Sequence, residues 1–297
     1  MPAGLSPNPL ARVVYGPCMH EFSRGGLVFD VTDAGPSDGP VVVLLHGYPE
    51  NRSSWVALTP LLTAAGYRVL APDQRGYSPR ARPMRRRDYR MDELVDDVLA
   101  LVDASGTRKV HLVGHDWGGG VAWGFATAYP DRLHTVSSLT TPHPRAMLRA
   151  MVTGTQAFKS WYMFMFQLPV VPELAYQPRM EPRLRATLRD TGLSDDAIDR
   201  YITPLREPGA ARAAINWYRG MPLSRPRGGS VEVPALYIYA TEDRFLGRKA
   251  ADLTGRYVAA PYRYEVLAGK SHWLPEEAPD VVAPLLLEHF AAHSGGR

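Results

Sequence analysis

The sequence lacks the features that would place it outside a reducing compartment or in a membrane. It has one cysteine, Cys18, in 297 residues, so no intramolecular disulfide can form and a reducing compartment is expected. Cys18 has no catalytic context and reads as structural or incidental. The opening M-P-A-G-L-S-P-N-P-L-A-R lacks the charged-then-apolar pattern of a signal peptide. No apolar run approaches the length of a membrane span. A cytoplasmic protein is the expectation, and the sequon at Asn51-Arg52-Ser53 carries no weight without a secretory route. No cluster of Cys, His or Asp has metal-ligand spacing, so neither metal nor other cofactor is expected. Repeats and low-complexity segments are also missing.

Positive charge is present, with a formal net charge of +4, but nothing accompanies it that reads nucleic acid. The clustered part is R-A-R-P-M-R-R-R-D-Y-R (80–90), which has neither interleaved aromatics nor a binding fold and runs straight into an acid-rich helix. It reads as a solvated basic loop, and no nucleic-acid partner is expected.

What is there is an ordinary globular composition, 45% hydrophobic and 22% charged, in a chain long enough for one large α/β domain with an inserted unit. Apolar stretches at 12–15 and 27–32, separated by Gly25-Gly26, read as antiparallel edge strands. Residues 41–45 form a continuous β-branched run, the pattern of a strand buried on both faces. A helix over 53–65 and a strand over 67–71 follow. M-D-E-L-V-D-D-V-L-A-L-V-D-A (91–104) is amphipathic at helical spacing, with Leu94, Val98, Leu101 and Val102 on one face. Strands at 109–113 and 135–139 flank a helix over 119–129. Strands alternating with helices imply a mostly parallel sheet covered on both sides. From 144 to about 226 only proline-broken helical stretches occur, rich in Met, Tyr, Phe and Trp. Strand patterns then resume at 234–239 and 262–267, before a last helix over 280–293. The organisation expected is a core of 1–142 and 227–297 with a helical lid over 143–226.

The chemistry centres on K-V-H-L-V-G-H-D-W-G-G-G (109–120). A strand running through G-H-D-W-G into a helix is the context of the nucleophile elbow G-x-S-x-G, with Asp116 in the serine position. A carboxylate there suits attack on carbon and formation of an ester. The competing reading is a glycine-rich turn in which Asp116 merely caps a helix. An ester intermediate needs a base and an orienting acid, and the triad order in this topology is nucleophile, acid, histidine. Past the strand at 234–239 lies A-T-E-D, offering Asp243 with Glu242 beside it. Past the strand at 262–267 lies G-K-S-H-W, offering His272. Both follow strand ends, where open α/β sheets bind ligands. His20, His111, His289 and His293 read as surface or packing residues, and His46 and His115 as braces for the loops.

These residues resemble the α/β-hydrolase fold in its epoxide hydrolase branch, over nearly the whole chain from about residue 41. H-G-Y-P-E (46–50) is similar to the family's H-G-x-P loop, D-Q-R-G-Y-S (73–78) to its D-x-R-G-x-x-S segment, and G-H-D-W-G-G to its aspartate elbow. The resemblance implies a cis peptide before Pro49 and an oxyanion hole from the backbone N–H groups of Tyr48 and Trp117. It puts the triad acid at Asp243 rather than Glu242. N-W-Y-R (216–219) matches the lid motif that carries a ring-opening tyrosine, Tyr218. An F-Q pair at 166–167 places the second at Tyr162, with Tyr176 the nearby alternative. Trp161, Trp217 and Trp273 are expected at the substrate. The implied activity is opening of a small apolar epoxide by Asp116, followed by attack of water on the ester through His272. Haloalkane dehalogenase is the nearest rival, using the same elbow but needing N–H donors for a halide; Tyr48 cannot supply one from its side chain, whereas Trp161 or Trp217 could. A further reading is a non-catalytic lidded binding protein, which predicts a broken triad.

Overall fold

The buried apolar runs become the strands of one sheet in the computed structural model, which describes residues 18–224 and 229–294. The strands are β1 (Glu21–Arg24), β2 (Leu27–Ala34), β3 (Val41–Leu45), β4 (Arg68–Pro72), β5 (Val110–His115), β6 (Leu133–Leu139), β7 (Ala235–Ala240) and β8 (Tyr262–Leu267). Their order is β1-β2-β4-β3-β5-β6-β7-β8. The β1–β2 and β2–β4 pairings are antiparallel and the others parallel.

Among the described residues three α-helices precede β6: α1 (Thr59–Ala64), α2 (Met91–Ala104) and α3 (Trp117–Ala128). Six lie between β6 and β7: α4 (Pro144–Thr153), α5 (Gln156–Lys159), α6 (Trp161–Met165), α7 (Glu181–Asp190), α8 (Asp195–Leu205) and α9 (Ala210–Gly220). Among the described residues this inserted section holds no strand, as its composition predicts, and it forms the lid. Its expected end at 226 lies outside the described residues. After β7 come α10 (Arg248–Leu253), α11 (Leu274–Glu277) and α12 (Pro279–His293).

The all-apolar strands are buried on both faces because helices cover both. In β3, Val41, Val43 and Leu45 point into the core beneath α2 and α3, while Val42 and Leu44 point into the core beneath α1 and α12. That alternation is the two-residue period of a strand. The helix expected over 91–104 has the bounds the pattern gave, and Leu94, Val98, Leu101 and Val102 are all buried.

Two local expectations change. The helix over 53–65 is instead a 3-10 turn, Arg52–Trp55, followed by α1, whose first turn holds Pro60. A proline has no N–H to bond the preceding turn, so the helix restarts there. The strand expected at 12–15 lies outside the described residues. The partner of β2 is β1, joined through Gly25 and Gly26 with φ of 58° and 81°, the two positive values a tight hairpin turn requires.

The packing of α3 on the sheet depends on missing side chains. A Cβ on Gly118 would lie 2.1 Å from the Leu45 carbonyl oxygen, and one on Gly114 would lie 2.1 Å from that of Gly118. Nothing there is a flexible side chain that could move aside. At Gly120 the nearest atom would be Met91 Cε, at 3.8 Å. Gly118→Ala should therefore destabilise by about 3 kcal/mol or more, through overpacking against backbone. Gly120→Ala should be neutral or stabilising by up to about 1 kcal/mol, since alanine is the better helix former. Denaturant unfolding of the two variants checks the contrast, and equal effects would contradict it.

Candidate active site

The sheet order creates the crevice. Strands β3 and β5 are neighbours, but the chain leaves β3 toward β4 and β5 toward β6. Their following loops part and leave a gap at the carboxyl end of the sheet, the place where such folds bind ligands. The loop after β3 brings Tyr48 and the loop after β5 brings Asp116.

Asp116 sits between β5 and α3 with φ 49° and ψ −120°. An L residue avoids that region, and holding one there costs about 1–3 kcal/mol. The strain puts the carboxylate at the apex of the turn. It occupies the N-cap position of α3 without making a side-chain capping hydrogen bond, so helix capping does not account for it. Instead Oδ1 accepts from the Tyr48 backbone N–H at 2.8 Å, and Oδ2 lies 3.6 Å from His272 Nε2. The peptide before Pro49 is cis, as the resemblance implies. Trp117, whose N–H is the other expected oxyanion donor, opens α3.

His272 and Asp243 come from the loops after β8 and β7. His272 Nδ1 lies 2.7 Å from Asp243 Oδ2. The other oxygen, Oδ1, accepts from the N–H groups of Phe245 and Leu246 at 2.7 and 2.9 Å. Asp243 is thus buried and fully engaged, while the neighbouring Glu242 is exposed. Burial disfavours a charged His272, but the charge of Asp243, its hydrogen bond to Nδ1 and the nearby charge of Asp116 outweigh it, raising its pKa to about 10. For Asp116 burial opposes the carboxylate, yet the adjacent His272 and the Tyr48 N–H hold its pKa below the ordinary value. The resting site is therefore one imidazolium between two carboxylates.

Two histidines brace these loops, as their positions suggest. The ring of His46 meets the Gly47 carbonyl through Nδ1 at 2.9 Å and accepts from the Gln74 N–H through Nε2 at 3.1 Å. His115 Nε2 lies 2.8 Å from the His272 carbonyl, which can only accept, and Nδ1 lies 2.8 Å from Glu50 Oε2. The same Glu50 oxygen accepts from the Gly47 N–H at 2.7 Å. Glu50 and His115 thereby tie the Tyr48 loop to the His272 loop. The sequence displays Glu50 in H-G-Y-P-E, but nothing in the spacing shows that it reaches His115.

From the lid, α9 delivers Tyr218 and α6 delivers Tyr162. The Trp217 indole N–H donates to the Arg75 carbonyl at 2.7 Å and fixes α9 on the core. Arg75 itself binds both oxygens of Asp97 on α2, each at 2.7 Å, which gives the 73–78 segment its structural purpose. Tyr218 packs edge-on to Trp117 with ring centroids 4.9 Å apart. Tyr162 packs edge-on to Tyr218 with ring centroids 6.0 Å apart. Burial first, with the Asp116 charge adding to it, pushes both phenols well above their ordinary pKa, so they stay protonated. Tyr176 instead pairs its hydroxyl with that of Tyr48. Of the two candidates, Tyr162 is the one beside Tyr218 and Asp116.

These groups line a cavity of about 630 Å³ that includes Asp116, Trp117, Tyr162 and Tyr218. The three tryptophans expected at the substrate are not part of its wall. Trp161 is 62% exposed on the outer side of α6; adjacent helical residues point about 100° apart, so Tyr162 faces in and Trp161 faces out. Trp217 is buried with its N–H on Arg75. Trp273 packs edge-on to His272 and gives its N–H to Thr191 Oγ1 at 3.0 Å. The lining tryptophan that sequence reasoning missed is Trp123 on α3, which carries no motif.

The described residues hold no group of three or more His, Cys, Asp or Glu placed to bind a metal, and no helix among them is long and apolar enough to cross a membrane.

Comparison with known proteins agrees with this architecture. The family model of the alpha/beta hydrolase fold matches residues 40–279. AB hydrolase superfamily protein YfhM of Bacillus subtilis is 37% identical over 90% of this chain and 96% of its own length. Epoxide hydrolase A of Mycobacterium tuberculosis is 33% identical over 89% of this chain and 94% of its own. Among solved structures, epoxide hydrolase A from Mycobacterium thermoresistibile superposes with a TM-score of 0.79 at 28% identity, covering 91% of this chain and 97% of that one. The chain belongs to the α/β-hydrolase fold family.

Proposed function

We propose that this hydrolase converts an epoxide to a vicinal diol through an ester on Asp116, with residues 143–226 acting as the lid over the site. The observation that carries the reading is the packed pair Tyr162–Tyr218, which lines the same cavity as the Asp116 that His272 and Asp243 serve. The names of the relatives agree with it.

Attack falls to Asp116 Oδ2, because Oδ1 is already held by the Tyr48 N–H. A ring carbon of an epoxide is sp3, so the C–O bond breaks as the ester bond forms, with no tetrahedral intermediate at that carbon. The ring oxygen leaves as an alkoxide and takes a proton from the tyrosine pair, and the proton of His272 restores the phenol. Protonated phenols are required for this, and burial keeps them so. Esterification then cancels the Asp116 charge and removes one of the two carboxylates that hold His272 charged. The imidazole becomes a neutral base at the moment one is needed. It takes a proton from water as the oxygen adds to the Asp116 carbonyl, whose Oδ1 stays on the Tyr48 N–H, with Trp117 as second donor at the positive end of α3. Collapse releases the diol and returns carboxylate and imidazolium.

A haloalkane substrate would need free indole donors for its halide. Trp217 and Trp273 spend theirs on Arg75 and Thr191 and Trp161 faces outward, which leaves Trp117 alone of the four at the cavity wall beside Asp116, without the second indole a halide needs. The epoxide reading needs no such donor.

Three outcomes are expected. Asp116→Ala abolishes diol formation, while His272→Gln accumulates an alkyl ester on Asp116 visible by intact-protein mass spectrometry; full turnover in either variant contradicts the scheme. Tyr162→Phe and Tyr218→Phe each slow ester formation by about 100-fold, measured by rapid quench, because each removes one donor to the alkoxide. The third concerns pH. His272 has a folded pKa of about 10 against an ordinary 6.5, so its contribution to stability is complete below about pH 6.5 and lost as pH rises through 10. Unfolding free energy should fall between pH 7 and 10 in the parent, and His272→Gln should remove that slope; parallel profiles would refute the charged resting histidine.

A further inference from the structure

The cavity extends well past the catalytic groups. Its wall continues along α3 from Asp116 and Trp117 through Gly120, Trp123 and Gly124 to Thr127. Residues 116, 120, 124 and 127 recur at helical spacing and so share one face of the helix. The flank facing α2 is Met91 and Val95, and the lid flank is Met147, Leu148 and Met163. From Asp116 to Thr127, at about 1.5 Å of rise per residue, the groove runs about 16 Å, the extended length of about a dozen saturated carbons.

Gly120 and Gly124 add no side chain to the wall of the groove. A Cβ at Gly124 would project toward α2, 3.0 Å from Val95 Cγ2 and 3.7 Å from Met91 Sδ. A larger side chain there must displace Val95 or turn into the groove, about 12 Å from Asp116. At Gly120 a Cβ would have no atom nearer than 3.8 Å, so packing against the sheet does not require glycine at that position. Of the polar side chains at the wall beyond Asp116, Ser224 Oγ accepts from the Met91 N–H, His143 Nδ1 accepts from the Arg145 N–H, and the Arg145 guanidinium lies over the Tyr257 ring. Thr141 Oγ1 donates to the Asp116 carbonyl, Thr127 Oγ1 to the Trp123 carbonyl, and Asp92 pairs with Arg90. An occupant of the groove therefore gains from methylene contact along its length rather than from directional bonds.

We propose that this groove binds an unbranched aliphatic tail, so that the preferred substrate is a terminal epoxide with an alkyl chain of about a dozen carbons, its length measured by Gly124 and Thr127. The tail lies along α3 and the oxirane at Asp116. The proposal rests on the epoxide reading for its reactive end only; the groove itself binds the chain of substrate and product alike.

The test uses the whole protein and two series of graded length, 1,2-epoxyalkanes for turnover and 1,2-alkanediols for affinity by calorimetry. In the parent, diol affinity should rise about twofold per added carbon in this half-open groove and level off near twelve carbons. Gly124→Leu should move the break to about eight carbons and Thr127→Phe to about ten, while Val152→Ser on the outer surface of the lid leaves it in place. Thr127 is half-buried at the groove's far end, so the Phe variant reads out the groove even if Gly124→Leu fails to fold. Diol affinity independent of length, or a break that neither groove variant moves, overturns the proposal. Length-dependent diol binding without turnover of any epoxide would uphold the groove and overturn the epoxide reading instead.

Discussion

Everything in this site depends on holding one carboxylate in a backbone conformation that its residue does not favour. At φ 49° Asp116 is lifted clear of both β5 and α3, and the surrounding structure sustains that conformation by packing α3 against the sheet through Gly114 and Gly118. The reward is that one small group faces three loops at once. The β3 loop reaches it with the Tyr48 N–H, the β8 loop with His272, and the lid with two phenols. Relaxing the elbow by a residue on either side would move the carboxylate out of reach of all three.

The electrostatics follow from that geometry. Two buried carboxylates around one imidazole are tolerable only if the imidazole is charged, and a charged imidazole cannot act as a base. In the proposed scheme the conflict is resolved chemically, since consuming Asp116 as an ester leaves a single carboxylate. Glu50 and His115, out of contact with the cavity, keep the two loops from drifting apart while the charge between them changes. In the same scheme the inserted helices add the acid side of the chemistry. Trp217 clamps α9 to the Arg75 carbonyl, and the next residue along presents its phenol to Asp116.

Much of this was legible in the sequence for identifiable reasons. Residues 41–45 could only be a strand buried on both faces, and 91–104 repeats its apolar residues at the spacing of a helix, so both were bounded correctly. Asp116, Asp243 and His272 were found because each follows a strand pattern in a fixed order along the chain. The tryptophans were misread because Trp161, Trp217 and Trp273 adjoin motif residues, and adjacency in sequence means opposite or sideways orientation on a helix. Trp123 and the groove went unseen since they arise from the side-by-side placement of α2, α3 and the lid, which no single stretch encodes. The interruption at Pro60 was available from proline chemistry alone. The reach of Glu50 to His115, 2.8 Å across 65 positions, was not.

The central claim is that Asp116 becomes covalently attached to substrate and gives up its own oxygen. A single turnover of excess enzyme with an epoxide in oxygen-18 water tests it directly. The account requires an unlabelled diol, with the label appearing in the peptide that contains Asp116. A labelled diol from that first turnover, with Asp116 unlabelled, would mean that water attacks the epoxide directly and would contradict it.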